Sequence, residues 1–165
     1  MAKLPDYRLQ VVLEMRERAK EAAERFLGEC MAALKAEQER LKELERELER
    51  MVAKREAKKR EYAEKAMRGE MSAQSAVSAN LYIERLKEQE QMQQNAIEGQ
   101  KNVVAEKEEE VSAAREDLVK ATQELKALEK HREKWVDEIK KERAAKEADM
   151  QDEVAQTVFL GRTRE

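Results

Sequence analysis

VAEKEEEVSAAREDLVKATQELKAL, residues 104–128, sets Val104, Val111, Leu118 and Leu125 on a seven-residue beat, with Ala114, Ala121 and Leu128 three positions after its later members. Apolar residues repeating at 3.5 on average form the a/d seam of a coiled coil, because that spacing keeps one stripe of a helix facing a partner. Working outward, Ile83, Ile97 and Ile139 keep the a beat, and Leu86 and Trp135 keep the d beat. The first half has its own seam, Leu27, Leu34, Leu41 and Leu48 at a, with Cys30, Leu44 and Met51 at d. Leu9, Leu13 and Ala23 extend it forward, with Lys20 and Glu37 as charged interruptions. Glu90, Gln93, Gln100 and Lys107 are polar seam positions of the second half and are predicted to lower its local stability.

Composition points the same way. Charged residues are 43% of the chain and aromatics 4%, which leaves too little bulk for a compact globular core but suits extended helices of Ala, Glu, Lys, Arg and Leu. The net charge of −3 comes from interleaved signs, so no field exists to condense a nucleic-acid backbone, and nucleic acid is not expected as a partner. No apolar run approaches the roughly 20 residues that span a bilayer, and the N-terminus lacks the apolar core of a signal peptide. The expectation is a cytosolic protein without direct membrane insertion. The lone Cys30 sits on the seam as a small buried hydrophobe and cannot staple the fold.

Between the periodic halves lies Gly69-Glu-Met-Ser-Ala-Gln-Ser75, where a glycine and a serine cluster coincide. A helix stop at Gly69 and a restart capped by Ser72 or Ser75 is predicted. The fold class is therefore all-α, a long antiparallel two-helix coiled-coil hairpin forming one domain over 1–165. Arm one is expected over about 6–68, entered at Pro5 and Asp6, with a turn at about 69–75, arm two over about 76–155 and a tail at 156–165. Gly161 is taken as the end of anything helical. Arms of roughly 60 residues would make a rod on the order of 90 Å long. Antiparallel facing positions add to a constant, and a value of about 148 pairs Leu13 with Trp135, Leu9 with Ile139, Leu34 with Ala114 and Lys58 with Glu90. A value of about 141 is the alternative. Past Ile139 arm two has nothing to face, so Lys140 to Gln156 should project as a charged helix bearing Met150 and Val154, a candidate docking end.

Nothing in the sequence supports catalysis. One histidine, one cysteine and no glycine-rich loop leave no phosphate cradle, metal cluster or activated nucleophile, and no cofactor is expected. His131 reads as an interfacial histidine beside the seam. Trp135 reads as a core anchor near the open end, compatible with a partner hot spot. Met67, Met71, Val77, Leu81 and Tyr82 gather around the turn, either capping the coiled coil or offering an adaptable binding surface. The basic run from Lys54 to Arg60 reads as a solvated face.

Several stretches, taken in order, resemble the FliJ/YscO family of type III secretion: Tyr7-Arg-Leu-Gln-Val-Val-Leu13 with Arg16, Glu17 and Ala19; the Gly69 break followed by Leu81-Tyr-Ile-Glu-Arg-Leu86; His131-Arg-Glu-Lys-Trp135; and Met150-Gln-Asp-Glu-Val-Ala155. Trp135 and Gln151-Asp-Glu153 are closer to the injectisome YscO branch than to the flagellar FliJ branch. The resemblance implies a monomeric, non-enzymatic central stalk at the cytosolic face of a secretion apparatus. Such a stalk would insert its open end into the hexameric export ATPase, stimulate it, reach the cytosolic ring of the export gate, and escort secretion chaperones. Carried over by position, the ATPase-docking residues are Tyr7, Arg8, Leu9, Arg132, Trp135, Asp152 and Glu153. The export-gate or chaperone contact is Met67, Met71, Tyr82, Leu86, Gln89 and Gln93. Glu45 and Glu47, with no tyrosine near them, depart from flagellar relatives in the middle of arm one. The rival reading from the periodicity alone is a structural scaffold or tether, a dimer whose arms pair between chains.

Overall fold

The seam residues build two helices, α1 (Gln10–Met67) and α2 (Ala73–Arg162), in a computed structural model that describes residues 3–164. Among the described residues there is no strand, and the two helices pack together as an antiparallel hairpin. The chain divides into two compact units, each drawing on both helices: one runs from Arg25 to Glu116, the other combines the residues up to Glu24 with those from Asp117 onward.

In the Arg25–Glu116 unit the connection is short because both helix ends are closed within it, that of α1 by main-chain bonds and that of α2 by a serine side chain. Gly69 adopts φ 70°, the left-handed conformation that a glycine enters without a Cβ penalty. Its N–H donates to the Ala66 carbonyl and the Glu70 N–H to the Lys65 carbonyl, the paired bonds of a Schellman stop. Three residues later the Ser72 hydroxyl accepts from the Ser75 N–H at 3.1 Å, so Ser72 is the N-cap of α2. No atom lies near a Cβ built on Gly69. Gly69→Ala is therefore expected to cost only the conformational term, about 1 kcal/mol. A urea melt of the variant measures it, and an unchanged midpoint would contradict the left-handed stop.

This turn decides the register. Mirroring the helices about a connection centred between Glu70 and Met71 puts together positions totalling about 141, one heptad below the preferred expectation of about 148. The polar seam residues agree. Arg55 donates to both Glu90 carboxylate oxygens at 2.9 Å, Gln93 donates its amide to the Leu44 carbonyl at 3.0 Å, and Gln100 donates to the Glu37 carbonyl at 3.0 Å and its carboxylate at 2.6 Å. In the higher register Gln100 would oppose Leu48 with its buried amide unpaired, a penalty of about 1–3 kcal/mol. Lys58, expected to meet Glu90, bonds Glu61 on its own helix instead. Apolar packing centres on Cys30, Val111 and Ala114, with Leu27 and Leu34 against them.

The helix limits also differ from expectation. α1 starts at Gln10 rather than near Asp6, because Tyr7 is drawn into the packing and its carbonyl accepts the Gln10 N–H in a turn. α2 runs past the anticipated end at about 155, through Gly161 and most of the expected tail, to Arg162, and Glu165 lies outside the described residues. One glycine costs a helix only about 1 kcal/mol, and here a threonine hydroxyl bonds carbonyls of the last turn while another bonds one further back. Thr157 donates to the Glu153 carbonyl, and Thr163 to those of Phe159 and Leu160.

Candidate functional site

The residues expected at the open end lie in the unit built from the residues up to Glu24 and from Asp117 onward. Tyr7, in the irregular segment before α1, is buried. Its ring packs on Trp135 with centroids 5.0 Å apart and planes tilted by 48°, and its hydroxyl is hydrogen-bonded to Nδ1 of His131. An aromatic pair of this geometry contributes about 0.5–1.5 kcal/mol beyond its burial. Trp135 is thus a half-buried anchor, and His131 is its interfacial neighbour. Two further links tie the same end: Arg143 donates to the Lys3 carbonyl at 2.8 Å, and Arg16 pairs with Glu124 across the helices. Leu13 is buried beneath a shallow groove lined also by Glu17, Glu129, Arg132, Glu133, Val136 and Asp137.

Of the carried-over docking residues, the structure joins Tyr7 to Trp135, leaves Arg8 and Arg132 exposed, and half-buries Leu9. It does not bring Asp152 and Glu153 to them. Both stand exposed on α2, about 25 Å further along the helix than Trp135. Every residue from Lys140 to Arg164 is exposed. Phe159 and Leu160, read from the sequence as part of a tail, stand on that helix at 68% and 61% exposure. Their neighbours Met150, Val154 and Val158 recur every four residues; an arm expected to end at about 155 takes in the first two and leaves out Val158.

Around the turn, Met67 is 89% exposed and Met71 half-buried. Met71 joins Tyr62, Ala63, Ala66, Ala79 and Ile83 along a groove between the helices. Tyr82 is half-buried and Gln89 exposed. Leu86 and Gln93 are otherwise engaged: Leu86 is a buried seam residue, and the Gln93 amide is bonded across to α1. Two cations of the basic run, Arg55 and Lys58, are paired in place. The Glu90 hydrogen bond holds the Arg55 guanidinium above its ordinary pKa, and the hydrogen bond to Glu61 does the same for the Lys58 amine, in turn holding the Glu61 carboxyl below the usual range. Among the described residues no helix is long and apolar enough to cross a membrane.

A family profile described as YscO-like protein matches residues 4–165. A solved structure, that of CT670 from Chlamydia trachomatis, described as a candidate YscO homolog, is similar at a TM-score of 0.85 and 26% identity, covering 98% of this chain and 99% of that one. No curated protein sequence matches.

Proposed function

We propose, from the premise that the chain belongs to the YscO-like family and is a component of type III secretion, that it acts as the stalk of the export ATPase. In this reading a monomer at the cytosolic face of the apparatus binds and stimulates the hexameric ATPase through its open end. Tyr7, Arg8, Leu9, Arg132 and Trp135 form one part of the contact, and Asp152 and Glu153 a second part further along α2. The observation that carries the reading is the bare end of α2: beyond Arg143, which still bonds the Lys3 carbonyl, every described residue of the helix is exposed, its apolar side chains included. Met67, Met71, Tyr82 and Gln89 are the surface offered to the export gate or to secretion chaperones, with Leu86 and Gln93 supporting it from inside the seam. No chemistry is asked of the chain. It acts by binding.

The test is the ATP hydrolysis rate of the cognate export ATPase with the full chain, with Trp135→Ala, and with a chain ending at Ile139. The full chain should stimulate, the truncated chain should not, and Trp135→Ala should require more protein for the same effect. A hexameric ATPase indifferent to saturating full-length chain would remove the stalk reading.

A further inference from the structure

Two exposed apolar faces belong to the unit containing Tyr7 and Trp135, and among the described residues neither is covered. The first is on α1, where Val11, Met15, Ala19 and Ala22 share one face about a third of a turn from the seam. Val11 and Met15 are 69% and 61% exposed. The charged residues on this face are arginines: Arg18 lies within it and Arg8 just ahead of the helix, while Glu14, Glu17 and Glu21 fall outside it. The second is on the end of α2, where Met150, Val154 and Val158 form a row flanked by Ala155 and Phe159, with Met150 and Val154 exposed at 65% and 62%. The charged residues beside this row are Glu147, Asp149, Asp152 and Glu153, all acidic and all in its first half, with Lys146 before them and Arg162 after the uncharged stretch that follows.

We propose that the α2 end of one copy docks on the α1 face of a second copy, and the reverse, about a twofold axis. An apolar row among acids meets an apolar row among arginines, which supplies both buried area and charge complementarity. The lengths are comparable, about 17 Å from Val11 to Ala22 and about 12 Å from Met150 to Val158, so the shorter row fits within the longer. Twofold symmetry makes the contact twice from one pair of surfaces. A lone helix of about 15 residues is marginal in water, so the end of α2 gains order from such a neighbour. The hairpin arms remain paired within each chain, unlike an arm-exchanged scaffold. A dimer of this kind covers Met150 to Phe159. If the stalk reading holds, it keeps the free chain from its ATPase until the ring competes for the same helix; the self-association itself does not depend on that reading.

Light scattering and sedimentation of the full chain at about 100 μM should give twice the chain mass at low salt, with the dimer weakening as salt rises. Met15→Asp and Val154→Asp should each be monomeric with unchanged helicity. Mixed in equal amounts they should associate, because one intact α2 end then meets one intact α1 face. That single contact should be at least about 100-fold weaker than the wild-type pair. A monomeric wild type, a dimer indifferent to both substitutions, or a mixture no more associated than either variant alone would each overturn the proposal.

Discussion

Ala114→Glu is expected to abolish the cooperative thermal transition of the Arg25–Glu116 unit, whereas Ala113→Glu, one residue away, should leave it within about 0.5 kcal/mol of wild type. Ala114 is 1% exposed and belongs to the cluster with Cys30 and Val111, packed by Leu27 and Leu34. A carboxylate there would have no cation within the cluster, and an unpaired charge held in such a place costs several kcal/mol. Domains have only about 5–15 kcal/mol in total, and a two-helix pair commands little apolar area with which to offset the loss. Ala114→Leu separates shape from charge: it overpacks the same layer and should cost about 1–3 kcal/mol. Circular dichroism melts of the three variants measure the series. Equal melts for Ala113→Glu and Ala114→Glu would show that Ala114 does not face α1.

Tyr7→Ala is expected to release the segment before α1 from the helices while leaving overall helicity almost unchanged. Tyr7 is itself outside both helices, so its loss removes no helical hydrogen bond. What is lost is the ring stacked on Trp135 and the hydroxyl on His131, about 2–4 kcal/mol of local anchoring by comparison with aromatic-to-alanine changes elsewhere. Trp135 is the sole tryptophan, so its emission reports the event directly and should shift to the red as water reaches the indole. Tyr7→Phe keeps the stacking and gives up the hydroxyl alone, about 1 kcal/mol, and its emission should stay close to wild type. Unaltered emission in Tyr7→Ala would mean that the aromatic pair does not hold this end.

The architecture was legible because it is local and periodic. Seven-residue repeats with one glycine and one serine break specify two helices and a turn, and the residues at that break close both helix ends as anticipated. The register was less legible for a physical reason. A shift by one heptad returns apolar residues to apolar residues in most layers, so hydrophobic pattern alone hardly distinguishes the two pairings. What separates them is the choice of Ser72 over Ser75 as cap and the partners of three polar side chains, Glu90, Gln93 and Gln100. Tyr7 stayed outside the periodic argument because it precedes the helix, where no repeat applies. The resemblance named it; the packing against Trp135 supplies its role in the fold. Leu86 and Gln93 show the opposite limit, since a resemblance carried by position does not reveal which side of a helix is already taken.

The bonds from Gln93 and Gln100 end on main-chain oxygens of α1, those of Leu44 and Glu37. A peptide oxygen is supplied by whatever amino acid occupies the position. The two sides of each clasp therefore differ in mutational freedom: α2 must retain a side-chain amide of the right reach, while positions 37 and 44 present the main-chain acceptor whatever their side chain, a change at 37 giving up only the second bond, from Gln100 to the Glu37 carboxylate. Substitutions at 37 and 44 are accordingly expected to disturb the alignment of the helices less than the loss of either amide on α2.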